Sequence, residues 1–280
     1  MKRLLNVLVV FVFCFVFSGF ASAQNVTREE FSKVYAEYRA KYEDYTKAHD
    51  TYVLSKKQYE QYKTLSAKEN LQRDTQNMLV KRDEVLVLYY KSIISKTGDS
   101  SISMPEDRKN EYTAKFNTEI SWLEEHKGLY KVTDSPETLS AKSEEVSKRY
   151  VTFQADLYKG LYYLARGKAE KYSERYNFLF NDLYSLTEKI KNEQRDAYKL
   201  SDAKIEIIDR WFGEINLKND EYSKLLTRAD SEILKAVGKE SKVTYGTSIK
   251  MLKDAMVVFT TRLGYIQEII KEIKVSESEY

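Results

Sequence analysis

The stretch FSKVYAEYRAKYEDYTKAHDTYVLSKKQY, residues 31–59, decides the fold class. Its Phe31, Tyr35, Tyr38, Tyr42, Tyr45, His49, Tyr52, Lys56 and Tyr59 follow one another in steps of four and three, and seven of these nine are aromatic. Such steps place all of them on one face of an α-helix. A sustained seven-residue period also implies left-handed supercoiling against a partner helix. Downstream the phase shifts near Ser66–Asn70 and resumes through Leu71, Met78, Leu79, Val85, Leu86, Tyr89 and Ile93. No Pro or Gly interrupts residues 27–97, so they read as one helix bent near Ala67. Its length would be roughly 100 Å at about 1.5 Å per residue.

The same period recurs to the end of the chain. Gly98 is a natural C-cap, and Pro105 opens a second helix with Glu106 and Asp107 at its positive end. Tyr112, Phe116, Ile120, Leu123 and Tyr130 carry that helix over about 105–131. Asp134 or Ser135 caps a third, with Pro136 and Glu137 in its first turn. It reads as 136–237, its one candidate break at 213–220, where Gly213 and Asn219-Asp220 fall. Gly238 is the expected C-cap there, and Ser241 or Thr244 starts the last helix, about 241–276. That helix has the cleanest heptads: Tyr245, Ile249, Leu252, Met256, Phe259, Leu263, Ile266, Ile270, Ile273. The expectation is an all-α chain, an elongated antiparallel bundle or coiled coil of four to five long helices joined by short loops. Gly160 and Gly167 share a heptad position with Leu139, Val146 and Phe153. They read either as room for bulky knobs on a facing helix or as drift, since a mid-helix Gly costs about 1 kcal/mol against Ala.

The N-terminus has a different character. Lys2 and Arg3 precede an apolar run from Leu4 to Phe20, and Ala21-Ser22-Ala23 supplies a small-residue cleavage pattern. Residues 1–23 therefore read as a secretory signal cut before Gln24, the rival being an uncleaved anchor. Residues 24–280 form one elongated helical domain in this reading. The only cysteine, Cys14, sits inside the apolar run, so no disulfide is available to the exported chain. The formal charge of +3 (46 Lys and Arg against 43 Asp and Glu) falls to +1 when Lys2 and Arg3 leave. That gives no overall field for nucleic acid, and no second apolar run reaches the length of a membrane span. Membrane attachment is expected only through an uncleaved N-terminal segment. Asn25-Val26-Thr27 matches a glycosylation sequon, which matters only in a host that reads it.

Chemistry-bearing patterns are sparse. Thr46 lies three before His49 and Leu123 three before His126, so no Glu-x-x-His di-iron pair exists. His49 reads as a member of the tyrosine stripe, and His126, near a helix end, as a capping cation. Gly160 to Lys168 has the wrong interval for a phosphate loop, and Ala169 replaces its Ser/Thr. Adjacent carboxylates such as Glu43-Asp44 and Glu144-Glu145 do not face each other on a helix. No catalytic, metal or cofactor residue is assigned, and an enzyme is not expected.

The 23 tyrosines are the unusual feature. Most fill the stripes. Tyr62, Tyr90, Tyr158, Tyr162, Tyr163 and Tyr176 lie wholly or partly off them and are the candidate interaction surface, because Tyr is enriched at interfaces. The competing reading is packing on a third helix. The export signal, long charged helices and lack of disulfides are similar in general shape to bacterial periplasmic or surface coiled-coil proteins, but no motif carries a family resemblance. The functional expectation is an exported structural or protein-interaction protein of the cell envelope or surface, with protein partners or self-association. A periplasmic holdase chaperone and a helical protein lying on a membrane surface are the alternatives.

Overall fold

The computed structural model describes residues 25–192 and 200–278. The export-signal reading of 1–23 lies outside the described residues. Six α-helices and one short 3₁₀ turn account for nearly all of the described chain, with no strand among the described residues. They are α1 Asn25–Tyr62, α2 Leu65–Thr97, α3 Glu106–Lys127, α4 Pro136–Lys191, α5 Asp202–Ile233 and α6 Ser241–Ser278. The all-α fold expected from the stripes is observed, with more helices than the four or five expected.

Two boundaries differ from the sequence reading. The first is the bend expected near Ala67, which is a full reversal. Lys63 takes a left-handed φ of 50°, and the Thr64 hydroxyl accepts a hydrogen bond from the Ala67 N–H to start α2. Strain at a non-Gly residue is of order 1–3 kcal/mol. It is offset because reversal lets α1 lay its aromatic face along the whole of α2. The second is the break expected at 213–220. The helix runs straight through it, because Gly213 faces open space and a single exposed Gly lowers helix propensity without ending a helix. The break lies upstream instead. Asn192 ends α4, and the Ser201 hydroxyl accepts from the Lys204 N–H to start α5, with Asp202 in the first turn. Smaller shifts have similar causes. Helix α3 stops at Lys127 because Gly128 caps it, and α5 ends at Ile233, leaving Gly238 (φ 49°) to open the 3₁₀ turn before α6. Ser135 caps α4 with Pro136 behind it, as expected.

Helix α4 is the spine, with 56 residues and a length of about 84 Å. Its first half carries α2 and α3, with α1 laid along α2. Ala48, Met78, Leu79, Tyr130 and Leu139 close the end of this part, and Val85–Ile93, Tyr112–Leu123 and Val146–Leu164 fill its middle. Its second half carries the α5–α6 hairpin, over a core of Leu183, Ile208, Ile215, Ile233, Ala255, Ile266 and neighbours. Tyr163 and Tyr245 pack against both main clusters, so the two halves share one continuous interior. The stripe that opened the sequence reading forms a ladder of rings on α1. Phe31, Tyr35, Tyr38, Tyr42, Tyr45, His49 and Tyr52 follow at centroid separations of 5.6, 5.8, 6.3, 6.4, 6.1 and 6.2 Å. All lie within the range where aromatic pairs attract beyond simple burial.

Both glycines of the α4 stripe mark close approaches. A Cβ on Gly160 would sit 2.9 Å from Phe116 Cε2 and 3.2 Å from Tyr112 Cδ1, so α3 rings occupy the space it leaves. A Cβ on Gly167 would sit 2.7 Å from Ile102 Cγ2 and 2.8 Å from the Ser103 carbonyl oxygen. The Ser103 N–H donates to the Gly167 carbonyl at 2.9 Å, which pins the loop after α2 against the middle of the spine. The room-for-a-knob reading therefore holds for Gly160. Gly167 makes room for backbone.

Candidate functional site

The six tyrosines proposed as a surface separate into two groups. Tyr62, beside the α1–α2 turn, is 62% exposed. Tyr90, Tyr158, Tyr162 and Tyr176 are buried, so these four are corrected from surface to interior, and Tyr163 is half-buried. The reason is a third helix. Tyr90 lies between Phe116 of α3 (5.7 Å) and Phe153 of α4 (5.4 Å). Tyr158 stacks near Tyr245 of α6 at 5.2 Å, and Tyr162 donates its hydroxyl hydrogen to Asp230 of α5 at 2.6 Å. Tyr163 meets Tyr112 at 5.4 Å under the Arg108 guanidinium, and Tyr176 meets Phe259 at 5.6 Å. Burial pushes the hydroxyls of Tyr90, Tyr158 and Tyr162 well above the usual phenol range.

The interior also holds charge. On α2, Asp83 is fully buried and accepts from Arg82 Nε at 2.9 Å. Arg82 reaches on to Ser143 Oγ at 2.7 Å and to the Tyr130 hydroxyl at 2.8 Å. His126 of α3 brings Nδ1 to 3.3 Å from Asp83 Oδ2, while its Nε2 lies 3.6 Å from the Glu145 carboxylate. Its ring stacks on Trp122 at 4.6 Å and meets Tyr130 edge-on at 5.1 Å. His126 lies in the last turn of α3, the helix end expected of it, but it is 3% exposed in a network joining three helices, a role the sequence reading did not include. His49 sits in the α1 ladder as expected.

Two turns back along α3, Glu119 is gripped by Arg149 of α4 through both Nε (3.0 and 3.1 Å) and Nη2 (2.7 Å). The same guanidinium lies 5.2 Å from the Trp122 ring centroid. Bidentate, partly desolvated pairs of this kind fix geometry as well as adding energy. These groups border a cavity of about 90 Å³ between α1, α2, α3 and α4, walled chiefly by Tyr42, Tyr45, Tyr90, Trp122 and Tyr150. In the other half, Arg262 is 3% exposed with its guanidinium 3.9 Å from the Tyr176 ring centroid and 4.9 Å from that of Tyr222.

The sequence reading missed Asp83, Glu119 and Arg149, although a signal existed. Asp83 completes the steps Leu79, Asp83, Leu86, Tyr90, Ile93, and Glu119 and His126 complete Tyr112, Phe116, Glu119, Leu123, His126, Tyr130. A charged residue at a stripe position must be buried with a partner or must break the seam.

Among the described residues no group of three or more His, Cys, Asp or Glu side chains is placed to hold a metal, and no helix is long and apolar enough to cross a membrane. Exposed large apolar side chains stand at several places along the chain, among them Val151, Leu217 and Val257 in the middle of helices. Val53, Leu54, Tyr62 and Leu65 surround the α1–α2 turn, and Leu234, Val237 and Val243 surround the α5–α6 turn. Phe178, Leu179, Tyr184 and Leu186 lie exposed on the second half of α4. Comparison of the chain with protein-family models, with curated proteins and with solved structures finds no match.

Proposed function

We propose that this chain is an exported, non-enzymatic helical protein of the cell envelope or surface that acts by holding protein partners along its length. The observation that carries the reading is how its polar interior is used. Asp83 with His126, Glu119 with Arg149, and Tyr162 with Asp230 each tie one helix to another, so these groups serve the rod itself. What the rod offers outward is the apolar flank of α4, where Phe178 is 71% and Leu186 49% exposed. Exposed apolar groups gathered in one place mark contact surfaces. The N-terminal basic, apolar and small-residue sequence supports export. The heptads of α6 support coiled-coil supercoiling, within one chain or between copies.

Crosslinking in the native cell, followed by purification and mass spectrometry, tests this. One or two dominant envelope or surface partners, or the chain itself, are expected. A broad set of unrelated exported chains would replace the reading with that of a holdase chaperone.

A further inference from the structure

On the second half of α4 the inward face is set by Ser173, Tyr176, Leu183 and Thr187, all of them buried. A second arc of the same helix points outward. At about 100° per residue, Arg175, Phe178, Leu179, Asp182 and Leu186 fall within one arc of about 100°. All five are exposed, Phe178 by 71%, Leu179 by 42% and Leu186 by 49%. Val151, Leu217 and Val257 differ, since each stands singly on its helix, which is ordinary for a surface. Tyr184 belongs to neither arc and meets Phe212 of α5 at 5.2 Å. The outward arc carries its own charge pattern. Arg175 lies one turn before Phe178, and Asp182 lies one turn after it. Seven residues part the two charges, about 10.5 Å along the axis, so they cannot neutralise each other within one chain.

We propose that this face of α4 is an antiparallel contact between two copies of the chain. The inference rests on the reading of the α4 flank as a contact surface and names its occupant. The argument is self-complementarity. Residues 175 and 182 are equidistant from the midpoint between 178 and 179. A two-fold axis at that midpoint sets Arg175 of each chain opposite Asp182 of the other and packs Phe178 and Leu179 about the axis. Both charges are thereby paired and the apolar centre is covered, as an isologous interface requires. A parallel copy in register would instead set Arg175 against Arg175. The same axis brings Leu186 opposite Lys171, whose stem covers apolar surface while its ammonium stays on Glu174 at 2.7 Å. One helix face is a small interface, so the dimer is weak, with a dissociation constant on the order of 10 μM.

The test is analytical ultracentrifugation of the chain beginning at Gln24, which retains every described element, from about 1 to 200 μM. A monomer–dimer equilibrium is expected. Arg175→Asp sets acid against acid, and Asp182→Arg sets base against base. The two-fold axis repeats each clash, so either variant alone should associate at least about a hundredfold more weakly than the parent. An equimolar mixture of the two variants should dimerise like the parent, because a mixed pair restores both opposite-charge contacts. Phe178→Ser should weaken association at least about tenfold. Circular dichroism should be unchanged in all three, because the residues are exposed. A parent chain that stays monomeric at about 200 μM overturns the proposal, and so does a mixture that fails to dimerise. A monomeric parent whose crosslinked partners in cells are lost with Phe178→Ser would also overturn it, while leaving the flank as a contact surface for another protein.

Discussion

Raising the pH through 10 is expected to unfold this protein cooperatively within about one pH unit. Burial holds twelve tyrosine hydroxyls of the described chain above the ordinary phenol value of 10.0. The unfolded chain ionises these groups near 10 and the folded chain does not. Their contribution is therefore fully present below pH 10, and stability falls as pH rises above it. Each withheld ionisation removes about 1.4 kcal/mol of stability per pH unit. The seven most strongly shifted, Tyr38, Tyr89, Tyr90, Tyr112, Tyr130, Tyr158 and Tyr162, together remove on the order of 10 kcal/mol by about pH 11, comparable to the whole stability of an ordinary domain. Phenolate absorbance and helical circular dichroism followed on one sample check this. The buried set should ionise together with helix loss. Ionisation of all 23 tyrosines near pH 10 in a fully helical protein would show that the rings are not buried as described.

Asp83→Ala is expected to cost about 3–5 kcal/mol, the largest effect of any single truncation in the polar interior. The carboxylate is fully buried, and its loss leaves Arg82 and His126 facing each other without the anion between them. Both partners are themselves shielded, with side-chain exposures of 13% and 2%, so water cannot replace the lost contact cheaply. Urea or thermal unfolding followed by circular dichroism measures the loss. A change under about 1 kcal/mol would mean that Asp83 is solvated in the native protein and that α2 and α3 are held by their apolar stripes alone.

Periodicity made the helices legible, because a 3-4 stripe can be satisfied only by a helix that buries one face. Caps made some boundaries legible too, as Ser135-Pro136 shows. The reversal at Lys63 was hidden because a tight helical hairpin needs neither Gly nor Pro when one residue accepts a left-handed φ. Its only trace was the phase shift at Ser66–Asn70, which a bend explains equally well. Gly213 misled because an exposed Gly and a helix end look alike in sequence, whereas Ser201-Asp202 held the real start signal. For the candidate surface, a stripe gives one face of a helix. Tyr90, Tyr158, Tyr162 and Tyr176 lie on a second face, which the bundle covers with a third helix. Which helix covers which face is a property of topology, and no local spacing encodes it. Asp83, Glu119 and His126 were readable in principle as polar members of apolar stripes.

Every functional reading of this chain rests on export. The most direct measurement is to recover the protein from fractionated native cells and determine its first residue. The account predicts a chain beginning at Gln24 in the envelope fraction or the culture fluid. A chain found in the cytoplasm with residues 1–23 intact would contradict it.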